Sequence, residues 1–341
     1  MDILSQEKIS SLASLLGTAR KVAVVGHTHP DGDALGCTFA MALWLRERYG
    51  AQVAVLFPDT PPQNLQFLLD GEVPCLCQDV QPAAAQTFIE GADVIVLLDC
   101  NAFSRTEGLQ DALGASKARK VLIDHHLNPD TASFDLVFST PDISSASELL
   151  FWILKELGWQ VAAGSIGEHL LAGMTTDTNS FANSVWPSTF QMASQLIAAG
   201  IDRDAILRHI YQSYRENRVR VMGYMQHEGL HILPGGGAYM ILTRQIQQRF
   251  DIREGETEGL VNVPLSIGEV RLSVLLKEDD GVFRVSVRSK KGTSAQQLAQ
   301  RFFHGGGHEN AAGGKLFVGQ DILAPEAAAA YLEDILSRFL S

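Results

Sequence analysis

The feature that most limits the fold is a series of short, almost unbroken apolar runs in the first half of the chain. They lie at 21–26 (KVAVVG), 52–57 (QVAVLF), 92–100 (ADVIVLLDC), 120–123 (KVLI) and 134–139 (FDLVFS). Val/Ile/Leu runs without polar alternation suit parallel strands that are covered by helices on both faces. Helical patterns fall between and after them, at 34–48 and at 144–157, the latter opened by serines able to cap it. This β-α-β order predicts an α/β fold with a doubly wound parallel sheet.

The second half has a different texture. Segments 188–199 and 204–225 predict helices, and 230–233, 238–243, 260–263, 269–277 and 281–288 predict short strands with alternation. Turn clusters lie at 234–237 (PGGG) and 279–281 (DDG), and 294–303 predicts a short amphipathic helix. The expected organisation is a doubly wound domain over 1–190, a helical connector over 191–222 and a smaller α+β domain with a mixed sheet over 223–341. A chain of 341 residues is long enough for two such domains.

Charge narrows the function. Lys and Arg total 27 against 39 Asp and Glu, a formal net charge of −12. A broad basic face for gripping long nucleic acid is not expected, although a small anion in a local basic pocket remains compatible. With 46% hydrophobic residues the chain is not predominantly disordered. It has no apolar run long enough for a membrane span and no signal-like start, so a cytoplasmic location is expected. Cys37, Cys75, Cys77 and Cys100 form no disulfide framework and are read as free thiols, and one C-x-C is a poor zinc site.

The chemistry sits where the strands end. Residues 26–33 (GHTHPDGD) follow the first strand, Asp99 ends the third, Asp124-His125-His126 ends the next, and Asp177 lies in 174–179 (MTTDTN). Carboxyl ends of strands line the ligand crevice of open α/β sheets. Two carboxylates about 4 Å apart repel by roughly 4 kcal/mol at an effective dielectric near 20, and divalent cations remove that cost. Oxygen and imidazole ligands without thiolate suit Mn²⁺, with Mg²⁺ or Co²⁺ as alternatives. A shared carboxylate would set two ions about 3.5–4 Å apart, an arrangement suited to displacement at phosphorus. In the second half, 305–314 (GGGHENAAGG) offers flexible backbone N–H groups and His308 to an anion, and Arg288 offers a guanidinium.

The motifs His27-x-x-x-Asp31-x-Asp33, Asp99, Asp124-His125-His126 and Asp177 resemble those of the DHH phosphoesterase superfamily. The 305–314 segment resembles the signature of the associated C-terminal domain, and the length is similar to the nanoRNase/pAp-phosphatase branch. The resemblance implies that His27, Asp31 and Asp99 hold one metal. Asp33, Asp99, His125 and Asp177 would hold a second, with Asp99 bridging. It further implies that His126 sits beside the scissile phosphate, orienting it or protonating the leaving oxygen, with Asp124 behind, fixing a histidine. Arg288, Gly305, Gly306, Gly307 and His308 would bind substrate. The implied activity is metal-dependent hydrolysis of very short oligoribonucleotides and of 3′-phosphoadenosine 5′-phosphate (pAp). Linear dinucleotides from cyclic ones, pyrophosphate and polyphosphate are the alternative substrates. A catalytically silent nucleotide-binding module would be expected to lack one of these ligands. The oligomeric state stays open, a homodimer among the options.

Other polar residues have blander expectations. His29, His169, His209, His227, His231 and His304 are read as polar surface, His29 being close enough to support the site. Arg215, Arg218 and Arg220 are read as a solvated face, and Thr176 and Thr178 as caps or supporting donors.

Overall fold

A computed structural model describes residues 2–341, and the chain divides after Ser213 into two units. The first is built on a parallel sheet of β1 (Lys21–Val25), β2 (Gln52–Phe57), β3 (Cys75–Cys77), β4 (Val94–Leu98), β5 (Arg119–Asp124) and β6 (Leu136–Ser139). Their order is β3-β2-β1-β4-β5-β6, with every neighbouring pair parallel. The order turns back between β1 and β4, which marks the ligand-binding edge of such a sheet. The helices are α1 (Gln6–Thr18), α2 (Gly32–Tyr49), α3 (Pro82–Glu90), α4 (Gln110–Ala115), α5 (Ala146–Glu156), α6 (Ser165–Asp177), α7 (Pro187–Ala198) and α8 (Arg203–Tyr211).

Both faces of the sheet are buried, which is why its strands carry no polar alternation. Val22, Val24, Val53, Val55, Val94 and Val96 share one core with α1, α2, α5 and α6. Ala23, Val25, Ala54, Leu56, Ile95 and Leu97 share the other with Ala85 and Ile89 of α3 and Leu113 of α4. Helix α2 is buried from Gly32 to Leu45 and stops at Gly50, whose φ of 64° is left-handed. It lies close against α6 because side chains are missing at the contact. A Cβ on Gly36 would stand 2.5 Å from the His169 carbonyl oxygen, and one on Gly32 2.4 Å from Thr176 Oγ1.

The second unit runs α9 (Glu216–His227), β7 (His231–Leu233), β8 (Gly237–Leu242), α10 (Arg244–Arg249), β9 (Leu272–Asp279), β10 (Val282–Ser289), α11 (Ala295–Phe302), β11 (Gly306–Gly307), β12 (Ala311–Phe317) and α12 (Ala328–Leu340). Its sheet has the order β11-β12-β10-β9-β8-β7 and is mixed, since β8 and β9 are parallel and the other pairs antiparallel. One face packs on α11 and α12 and the other on α9.

Several local expectations change. The helix expected over 204–225 is two helices, α8 and α9, interrupted where the chain passes between units; Arg215 there is extended. The expected connector is thereby divided between the two units. The strand expected at 260–263 is a tight 3-10 segment, Leu260–Ser266, because Pro264 removes a ladder donor and Gly259 enters it left-handed. His169 is not surface: it is buried on α6, stacked on Phe39, with Nδ1 against the Ser165 carbonyl and Nε2 against that of Leu68. Arg218 is also buried, over the Tyr214 ring and donating to the carbonyls of Gly255 and Glu258. The four cysteines are free thiols. Among the described residues no helix is long and apolar enough to cross a membrane.

Candidate metal centre

The parallel sheet sends several strand ends to one edge, and each delivers a polar side chain. His27 follows β1. Its Nδ1 lies 2.7 Å from the Thr28 carbonyl, which holds the proton on that nitrogen and turns Nε2 to the cluster. Asp31 caps α2, its Oδ1 accepting from the N–H groups of Asp33 and Ala34 at 3.0 Å. Asp33, in the first turn of α2, is buried. Its Oδ2 accepts from Ala146 N–H at 2.7 Å and its Oδ1 from Ser147 N–H at 3.0 Å, at the start of α5. Asp99 follows β4 with a left-handed φ of 53°, a conformation costing an L residue about 1–3 kcal/mol. Asp124 ends β5, with His125 and His126 behind it, and Asp177 is the last residue of α6.

These groups converge. His27 Nε2 lies 3.9 Å from Asp31 Oδ1 and 3.4 Å from Asp99 Oδ2. His125 Nε2 lies 3.3 Å from Asp99 Oδ1 and 3.6 Å from Asp177 Oδ2. Ligand atoms of His27, Asp31 and Asp99 lie within 4.8 Å of one another, and so do those of Asp33, His125 and Asp177. A third group, Asp99, Asp124 and His126, is tied internally: Asp124 accepts from His126 N–H at 3.1 Å and lies 2.8 Å from its Nδ1.

The charges do not balance by themselves. Burial, then the charges of Asp99 and Asp177, push the Asp33 carboxyl well above its usual value. Burial works against the charge on Asp99, but hydrogen bonds from His125 and His27 outweigh it and hold its carboxyl well below the usual range. Burial likewise opposes a proton on His125, yet the Asp177 charge and the Asp99 hydrogen bond raise it to about 10. His27 is raised against its own burial, through its hydrogen bond to Asp99. Asp99 Oδ1 is buried and receives no well-formed hydrogen bond. An orphaned carboxylate oxygen between two mixed oxygen–imidazole groups fits a divalent cation centre.

Two contributors went unmarked in the sequence. Arg105 lies in the 3-10 segment Phe103–Leu109, and its Nη1 is 3.0 Å from His126 Nε2. Because a guanidinium only donates, this fixes His126 with its proton on Nδ1, towards Asp124. Burial lowers the His126 pKa, in keeping with that neutral form. Asp59 accepts from the Thr28 hydroxyl and from His29 N–H, steadying the loop that carries His27 and Asp31. Asp59 lies two residues past β2, so the strand-end argument that marked Asp99 reaches it as well. Arg105 had no such signal. Thr178 caps α6, its hydroxyl donating to the Met174 carbonyl and accepting from Phe181 N–H.

In the second unit Arg288 faces Ala311 across the β10–β12 ladder, and its Nη1 donates to the Val287 carbonyl. Gly305, Gly306, Gly307 and His308 lead into a hairpin in which Gly306 pairs with Gly313 and Gly307 with Ala312. The glycines have a packing reason of their own. A Cβ on Gly305 would stand 1.9 Å from the Gly313 carbonyl oxygen, and Gly307 has a φ of 142°. The N–H groups of Gly305 and His308 bond to the carbonyls of Ala299 and Ala311. The segment is therefore a paired hairpin with His308 at its turn.

Comparison with known proteins agrees with this layout. Residues 21–203 match the DHH family, N-terminal domain, and residues 238–337 match the DHHA1 domain. The chain is 28% identical over 295 residues to the bifunctional oligoribonuclease and PAP phosphatase NrnA of Bacillus subtilis, covering 85% of this chain and 88% of the relative. It is 31% identical over 291 residues to a probable bifunctional oligoribonuclease and PAP phosphatase NrnA of Streptococcus mutans, covering 84% and 86%. A solved exopolyphosphatase-related protein from Bacteroides fragilis superposes with a TM-score of 0.88 at 34% identity, over 98% of this chain and 97% of that one.

Proposed function

The chain belongs to the DHH family, with a DHHA1 domain behind the DHH domain, and from that premise we propose that it is a metal-dependent phosphohydrolase of very short oligoribonucleotides and of pAp. The observation that carries this reading is the convergence of Asp31, Asp33, Asp99 and Asp177 with His27 and His125 in two overlapping oxygen–imidazole groups. The substrate class rests on the two NrnA relatives.

In this reading His27, Asp31 and Asp99 hold one ion, and Asp33, Asp99, His125 and Asp177 hold the other, Mn²⁺ in both places. Bound divalent ions would acidify a water and polarise the phosphoryl oxygens. The protein's own residues set the geometry. Asp33 is locked by two backbone N–H groups, and Asp99 stands between two imidazoles. Hydrolysis forms a bond from the water oxygen to phosphorus and breaks the bond from phosphorus to the leaving oxygen, which takes up a proton. Asp124 occupies Nδ1 of His126, so Nε2 is the atom at which that histidine accepts or gives the proton. In the second unit Arg288, the glycine hairpin and His308 are read as holding the remainder of the substrate.

The solved exopolyphosphatase-related protein favours a second reading, with polyphosphate as substrate. One experiment decides between them. Purified protein with Mn²⁺ is offered pAp, pApA, a five-nucleotide RNA, pyrophosphate, polyphosphate and a long single strand, and initial rates are ranked. The proposal expects pApA and pAp to lead. Faster turnover of polyphosphate or pyrophosphate overturns it.

A further inference from the structure

We propose that Arg105 is a phosphate-gripping residue of the first unit, which rests on His126 Nε2 in the ligand-free protein and turns to the phosphate under attack when substrate enters. This inference rests on the phosphohydrolase reading above. Its starting point is a mismatch between a strong donor and a weak acceptor. Among the described residues, the contact with His126 is the one hydrogen bond that the Arg105 side chain makes. An imidazole lone pair uses one of its five N–H donors. The guanidinium is built for two parallel bonds to an oxyanion, which are charge-assisted and about twice as strong as neutral ones. Arg105 is within 4.0 Å of no carboxylate among the described residues, although it lies one imidazole away from Asp124. With no carboxylate in direct contact, most of its N–H donors are open to an incoming oxyanion.

Its backbone is held by two bonds, while its side chain has a single one, to His126. Arg105 N–H bonds to the Ala102 carbonyl at 3.1 Å, and its own carbonyl accepts from Thr28 N–H at 2.9 Å. Phe103, Thr106 and Leu109 anchor the same segment in the core. Thr28 adjoins His27, so one backbone bond ties the arginine to the loop carrying the first group of ligands. The move from His126 to phosphate does two things together. It places N–H donors on the phosphoryl oxygens, where charge develops, and it clears Nε2 of His126 for proton transfer. No bond to phosphorus is made or broken by Arg105 itself.

The test uses the full chain with Mn²⁺ and pApA, comparing wild type with Arg105→Ala and Arg105→Lys. The alanine variant is expected to lose about a hundredfold in kcat/KM, as for removal of one transition-state donor, with KM raised. Lysine restores part of it. Added guanidinium ion at non-denaturing concentration is expected to raise the rate of the alanine variant and not that of wild type. Mn²⁺ affinity by calorimetry and the melting temperature are expected to match wild type. Alanine activity within about twofold of wild type overturns the inference, as does a loss that guanidinium does not relieve or that follows weakened Mn²⁺ binding. A wild-type protein inactive on pApA and pAp overturns the functional reading instead.

Discussion

Two regions of this molecule crowd ionised side chains, and they solve the problem in opposite ways. In the second unit Glu254 meets Lys277 at 2.9 Å and Arg284 through both oxygens, at 2.7 and 3.0 Å. Burial opposes its charge, but the Arg284 and Lys277 bonds win and hold its pKa at about 2. That cluster sets two cations of the chain's own against its carboxylate. At the strand ends of the first unit, Asp33, Asp99 and Asp177 share the space with imidazoles, one carboxyl is pushed up, and an oxygen of Asp99 is left unsatisfied. That cluster sets imidazoles against its carboxylates. A fold can afford charge crowding of the first kind anywhere, whereas the second kind persists only where something from outside joins it.

The comparison breaks most visibly at Asp99. Asp99→Asn is expected to lower Mn²⁺-dependent turnover about a thousandfold, since the lost stabilisation is several kcal/mol. Steady-state rates together with an unchanged circular dichroism spectrum check this. Retained activity would mean that the cluster is complete without added cations.

The next effect is on pH. With its pKa raised to about 10 by the Asp177 charge and the Asp99 hydrogen bond, His125 would have to release a proton to act as the ligand proposed above. Mn²⁺ affinity is therefore expected to rise with pH between about 6 and 9, by up to roughly tenfold per pH unit for each proton displaced. Calorimetry in buffers of different ionisation enthalpy should count the protons released. A flat profile would remove His125 from the ligands.

The smallest effect belongs to the balanced cluster. Glu254→Gln is expected to cost at most about 1 kcal/mol, because the pair is half-exposed and screened. Its depressed pKa contributes stability that is fully present above the unfolded value near 4.5 and is lost as pH falls towards 2. Urea unfolding at pH 7 and pH 3 should show the difference between wild type and variant narrowing at the lower pH.

Much of this was legible in the sequence because strands buried on both faces announce themselves. All five apolar runs are strands, and the residues at their carboxyl ends share one edge. Of the parallel sheet, the strand missed, β3, has three residues and lies at the margin, where little burial is available to shape composition; in the second unit β11 and β12 were missed as well, hidden in and after the glycine segment. The arginine of the site was missed for a different reason. Arg105 lies six residues beyond Asp99 in a 3-10 segment with no periodicity, and its importance comes from which nitrogen of His126 it meets. The glycine segment was legible as unusual but not as a hairpin, since close backbone approach and anion binding call for the same residue. His169 was misread because a lone histidine carries no sequence mark that distinguishes a helix interior from a loop.

The bonds that lock Asp33 have a use beyond geometry. Two amide protons, those of Ala146 and Ser147, end on a carboxylate more than a hundred positions earlier in the chain. Their exchange with solvent is gated by whatever steadies that carboxylate. If Asp33 holds an ion as proposed, their deuterium uptake would report its occupancy without substrate or turnover.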